Sequence, residues 1–217
     1  MRTMRLMPLC ALLLALPSHA ASVDVSGNLL LVNNYLWRGM TLSLEDPSLQ
    51  GSVTLEHETG LFAGIAAESY RYHDDDGKRQ DDYELDYYAG YYRDLTDRLA
   101  LQLDVNVFTY GDFNHNTEWG LTAFYGDSQA AIYYDQDVES WYGQLGHDLV
   151  LTDALSLALH GGYYFDDADY YGWDDSSYFD VAATLNWAVS GNVNLMAGAT
   201  YHEHEKGYGL VGIEVTF

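Results

Sequence analysis

The sequence predicts an all-β fold, a transmembrane antiparallel up-and-down β-barrel of about 12 strands. Three observations predict it. The first is a period of two in hydropathy, clearest at the end of the chain. There Val193, Leu195, Ala197, Ala199 and Tyr201 alternate with Asn192, Asn194, Met196, Gly198 and Thr200, and Val211, Ile213, Val215 and Phe217 alternate with Leu210, Gly212, Glu214 and Thr216. That period places one row of side chains on each face of a strand. An apolar last strand ending on Phe217 would be an aggregation-prone edge in an open sheet, and pairing it with the first strand removes the edge. The second observation is the alternation of short and long connections, and the third is the N-terminal segment.

That segment has Arg2 and Arg5, the apolar run Leu6–Leu16, and small residues Ser18 and Ala20 before the next stretch. It reads as an export signal over 1–20, cleaved after Ala20, leaving 21–217 as the barrel. Cys10 is the single cysteine and leaves with the signal, so no disulfide framework or thiol chemistry is expected. The formal charge then moves from −24 to −26, because Arg2 and Arg5 are lost and no acid is. Such acidity excludes nucleic acid as a partner. With 48% hydrophobic residues, twenty tyrosines and twenty glycines, the composition is not that of a disordered acidic chain.

The elements follow in order. Val23, Val25, Leu29, Leu31, Tyr35 and Trp37 form the apolar row of a first strand, opposite Asp24, Ser26, Asn28, Asn34 and Arg38. After a loop through Glu45-Asp46-Pro47, the second strand sets Leu49, Gly51, Val53 and Leu55 against Gln50, Ser52, Thr54 and Glu56. The third runs from Leu61 to about Tyr72. The fourth carries Tyr83, Leu85, Tyr87, Ala89 and Tyr91, and the fifth Leu99, Leu101, Leu103, Val105 and Val107. Trp119–Tyr125 and Ala130–Tyr134 mark the sixth and seventh, and Trp141–Leu151 a weaker eighth. The ninth holds Leu155, Leu157, Leu159 and Tyr163, and the tenth Phe179, Val181, Ala183, Leu185 and Trp187. The stretches at 191–201 and 210–217 complete the count.

Turns after even strands are short (Glu58–Gly60, Asp94–Asp97, Gly126-Asp127, Thr152-Asp153, Ser190-Gly191), whereas His73–Asp82 and Asp166–Ser176 are long and acidic. An even strand number with short periplasmic turns and longer outside loops places both termini in the periplasm and the barrel in the bacterial outer membrane. Tyr and Trp near strand ends form interfacial girdles.

One group of segments resembles a known family. Asn34-Tyr35-Leu36-Trp37-Arg38-Gly39, Glu45-Asp46-Pro47-Ser48-Leu49-Gln50-Gly51, Glu56 to Gly64 and Glu84 to Tyr91 look like the TorF family of porins. The resemblance implies a small outer-membrane barrel with a channel role. It brings no catalytic residues, and the acidity of the loops departs from it.

If the apolar rows meet lipid, the other rows line the lumen. These contribute Glu56, Glu68, Glu84, Asp86, Asp104, Glu118, Asp148 and Asp180, with Arg38 as the main cation. Rings of acids select for cations, so passive diffusion of small hydrophilic solutes, cations preferred, is the leading expectation; a barrel plugged by its own tyrosines is the alternative. Expected partners are outer-membrane lipid and lipopolysaccharide, the assembly machinery through the C-terminal strand and its closing residue Phe217, and small solutes or cations. No cofactor motif is present. His202 and His204 put two imidazoles on one strand face, a metal-binding pattern that lacks a third ligand. An enzyme would need a nucleophile, base and orienting group together. Neither Ser140 with His147 nor Ser156 with His160 supplies that spacing, so no enzymatic activity is expected.

Overall fold

The computed structural model describes residues 22–111, 115–165 and 177–217. The export signal expected at 1–20 and the acidic connection expected at 166–176 lie outside these residues. Among the described residues there are fourteen strands: β1 (Val23–Val32), β2 (Leu36–Trp37), β3 (Met40–Thr41), β4 (Ser48–His57), β5 (Leu61–His73), β6 (Arg79–Asp94) and β7 (Leu99–Tyr110) in the first half, then β8 (His115–Tyr125), β9 (Ser128–Asp135), β10 (Ser140–Thr152), β11 (Leu155–Phe165), β12 (Ser177–Ser190), β13 (Val193–His202) and β14 (Gly207–Thr216). Twelve of them close into one antiparallel barrel, β4 to β14 in chain order with β1 between the two ends. The closing seam pairs Asn28–Val32 with Gly212–Thr216. It ends in two backbone hydrogen bonds of 3.0 Å between Gly27 and Phe217. The remaining pair, β2 and β3, is a separate two-stranded hairpin.

The barrel is inside out relative to a soluble one. Leu103 is 57% exposed, Ile65 54%, Leu145 66% and Val211 56%. The inward rows bury Glu84, Glu118, Asp180 and Thr200. A soluble barrel would turn the apolar rows to its core, so the observed sense suits an outward face in lipid and a polar interior. Register carries this pattern around the wall: Leu103 pairs with Leu121, Leu121 with Ile132 and Ile132 with Gly143. Outward rings gather toward the two rims. Trp119, Tyr134, Trp141, Tyr163 and Tyr201 lie toward the long-connection end, with Tyr125 and Trp187 toward the short-turn end. No helix among the described residues is long and apolar enough to cross a membrane.

One element departs from the alternation. The period of two predicts a first strand continuing through Tyr35 and Trp37 with both rings facing outward. Instead β1 stops at Val32, and the chain turns into the barrel as the β2–β3 hairpin, taking Tyr35 and Trp37 with it. Trp37 pairs with Met40, leaving only Arg38 and Gly39 in the turn, at φ 47° and 83°. Two successive positive φ values make a hairpin turn of the kind that follows strand twist. Glycine accepts that backbone freely, while the arginine accepts it at a cost of ~1 kcal/mol. The loop is knit at its base: the Thr41 hydroxyl donates to Asn34 Oδ1 (2.6 Å), and Ser43 Oγ accepts the Tyr35 N–H (2.8 Å). Its outer part is clamped by ion pairs Arg79–Asp46 and Lys206–Glu45, each 2.6 Å.

Candidate functional site: the constricted lumen

The hairpin tip explains where the lumen narrows. Arg38 stands at that tip, and its guanidinium Nη2 donates to Glu118 Oε2 and its Nη1 to the Tyr164 hydroxyl, both at 2.6 Å. The same group lies over the rings of Tyr142 (4.0 Å to the centroid) and Trp37 (4.4 Å). With side-chain exposures of 10% and 5%, Arg38 and Glu118 form a largely desolvated pair. A planar guanidinium suits this role because it stacks on rings while its edge donates to a carboxylate.

The wall facing the hairpin is a belt of rings contributed by successive strands. Tyr133 of β9, Tyr142 of β10, Tyr164 of β11, Tyr178 of β12 and His202 of β13 follow one another, with centroids 6.4, 4.6, 4.5 and 4.6 Å apart. Below the belt, Asp180 is 1% exposed. It accepts the Tyr142 hydroxyl at 2.9 Å and lies 2.7 Å from His160 Nε2. Tyr142 reaches Asp180 across Gly162, where an added Cβ would collide with the Tyr142 hydroxyl. Gly162→Ala should therefore push Tyr142 off Asp180 and lower stability by about 1–3 kcal/mol. Urea unfolding of the refolded variant checks this, with Gly161→Ala, which meets only Val181 at 4.0 Å, as the neutral comparison.

The remaining lumen acids fall into distinct settings. Asp104 is held by the amides of Gln102 and Asn106, two residues away on either side, each at 2.9 Å. Glu68, Glu84 and Asp86 come together across β5 and β6, with one carboxylate oxygen from each lying within 4.8 Å of the others. Glu56 and Asp148 are exposed near the short-turn rim. Two cavities lie inside the wall. One of about 480 Å³ is bounded by Trp37, Arg38, Asn106, Gln144 and His160. Another of about 400 Å³ is bounded by Thr54, Glu56, Tyr88, Tyr92 and Gln102.

His202 is fully buried, and its Nδ1 accepts the His204 N–H at 3.2 Å. The two imidazole centroids are 6.2 Å apart. Among the described residues, the group of three at metal-ligand spacing is Glu68, Glu84 and Asp86, and neither histidine belongs to it. On the outer face, His147 Nδ1 lies 2.9 Å from Ser128 Oγ. Ser140, its nearer neighbour in sequence, is buried at the other end of β10. Among the described residues His147 has no carboxylate partner, so this pair lacks the orienting group of a hydrolytic triad. The Ser128–His147 pair, the ring belt and the Arg38–Glu118 bond were not readable from spacing. Each joins residues of different strands, and only the register brings them to one level.

The KdgM porin in complex with disordered oligogalacturonate is similar to this chain at TM-score 0.62 and 8% identity, covering 90% of this chain and 99% of that one. The NanC porin is similar at TM-score 0.55 and 10% identity, with the same shares covered. The outer membrane phospholipase A from Escherichia coli is similar at TM-score 0.50 and 13% identity, covering 88% of this chain and 92% of the other. At these identities the likeness is one of fold, and the fold carries both porins and an enzyme, so function rests on the lumen itself. No curated protein matches the chain in sequence. A family model does match residues 17–210, and the chain therefore belongs to that family, described as a bacterial protein of unknown function (Gcw_chp).

Proposed function

We propose that this protein is an outer-membrane porin for small hydrophilic solutes, with cations passing more readily than anions. The observation that carries the reading is the inside-out barrel, whose polar interior is narrowed by its own in-folded hairpin. In the described lumen, the single guanidinium of Arg38 is spent on Glu118, while Glu68, Glu84, Asp86 and Asp104 have no basic partner. An acidic wall with low-dielectric surroundings concentrates cations. The resemblance to TorF porins in the first strand and its loop supports the same reading, and an export signal at 1–20 would deliver the chain to that membrane. A refolded barrel in a planar bilayer should conduct, and a KCl gradient should give a cation-favouring reversal potential. E84Q, D86N and D104N together should move that potential toward zero. An unchanged potential would remove these acids from the conducting path.

A second reading has its own observation. The Arg38 anchor packs against the ring belt at the level at which the hairpin crosses the lumen, which favours a plugged barrel with a binding or structural role. A folded barrel that inserts stably without conducting would establish it.

A further inference from the structure

Glu68 and Glu84 are direct cross-strand partners on the inner face of β5 and β6, and Asp86 follows two residues along the same face. Like charges directly opposite on neighbouring strands destabilise a sheet, yet here a third is added. Glu84 is 2% exposed, and its Oε2 accepts the hydroxyl of Tyr35 from the in-folded loop at 3.1 Å. Glu68 Oε2 and Asp86 Oδ1 are also sealed from solvent, and neither accepts a hydrogen bond. Buried acceptors are almost always satisfied, so two such oxygens facing a third carboxylate mark a missing partner.

That partner is not a basic side chain among the described residues. Arg38 is committed to Glu118, and Arg71 to Asp81 and the Pro47 carbonyl. Arg79 is committed to Asp46 and Asp81, and Lys206 to Glu45. The donor set is all oxygen, without imidazole or thiolate, and carries up to three negative charges. Such a set matches a hard divalent cation rather than a soft transition metal.

We propose that Glu68, Glu84 and Asp86 form a binding site for a hard divalent cation of the Ca²⁺ class on the lumen wall. The cation bridges β5 to β6 across their outer halves and, through Glu84 and Tyr35, ties the in-folded loop to the wall. The site does not depend on the porin reading, because a plugged barrel would hold it equally.

The test uses the refolded mature chain in detergent, with folding checked by heat-modifiable migration. Tb³⁺ bound here sits beside the Tyr35 phenol, so its luminescence should be excited through tyrosine, saturate, and be displaced by Ca²⁺. E68Q/D86N should weaken that binding by roughly tenfold or more. Two comparisons should leave it intact: D104N within the lumen, and D74N/D75N/D76N in the exposed turn. A second measurement covers a variant that folds poorly. In chelator, E68Q/D86N should unfold at a higher temperature than the parent, because it lacks the uncompensated charge, and Ca²⁺ should raise only the parent. The proposal fails if Tb³⁺ binding does not saturate, if E68Q/D86N binds as the parent does, or if the turn variant abolishes the signal. It fails equally if Ca²⁺ stabilises both proteins alike.

Discussion

Replacing Arg38 by alanine should free the hairpin and enlarge the conducting path. The guanidinium holds two hydrogen bonds of 2.6 Å and lies over the Tyr142 ring, so its loss detaches the tip from Glu118, Tyr164 and Tyr142 together. It also leaves the Glu118 carboxylate buried and unpaired. Breaking one side of a buried pair typically costs about 3–5 kcal/mol. The positive φ at residue 38 eases only slightly with alanine, so relief of strain offsets little of that. Most of the loss should appear as release of the loop, since the twelve-strand wall keeps its own ladder hydrogen bonds. Single-channel recording should show larger or noisier conductance than the parent, while heat-modifiable migration stays that of a folded barrel. Glu118→Gln should act in the same direction but less, because an amide still accepts from Arg38. An R38A barrel with parental conductance would mean that the hairpin does not set the bore.

Leu103→Arg should be the most damaging single change on the outer face. Leu103 is 57% exposed and pairs outward with Tyr91 and Leu121 in the middle reaches of β7. Arginine at the lipid midplane of a barrel costs about 2–4 kcal/mol. The neighbouring inward site gives the contrast. Asn106→Arg places the same charge beside Asp104 in the polar lumen, where the stability cost should be small and the reversal potential should shift away from cations. Urea unfolding from lipid vesicles separates the two. Equal costs at 103 and 106 would contradict the inside-out sense of the wall.

The twelve-strand barrel was legible in the sequence because each face writes itself every second residue. The rows through Leu99–Val107 and Phe179–Trp187 needed no partner to be read, and the short turns fell where the alternation broke. The hairpin was not legible for the same reason. Tyr35 and Trp37 keep the period of two while the chain is already turning inward, so the pattern alone extended β1 past Val32. Arg38-Gly39 was the available signal, since a glycine after a residue that can be held at positive φ is compatible with a two-residue turn. In the lumen, the acids were legible as an inward row but their groupings were not. Glu68 and Glu84 become neighbours through one cross-strand register, and Arg38 meets Glu118 across 80 residues of chain.

The seam between β1 and β14 has a kinetic consequence. Every other neighbouring pair in the wall joins strands that follow one another along the chain, with the hairpin loop alone set between β1 and β4, so those pairs can zip locally. The seam must bring residue 28 to residue 216. Loop-closure entropy is largest there, and non-local pairings are the slow ones. The register is also short, covering Asn28–Val32 with one further backbone contact at each end (Gly27 with Phe217, Asn33 with Val211), whereas β1 pairs with β4 along its full length. The last line of hydrogen bonds to form is therefore also among the shortest, and it is the first along which the wall would part. A covalent bridge between outward neighbours Leu29 and Val215, each changed to cysteine, should slow unfolding more than a bridge across any of the hairpins.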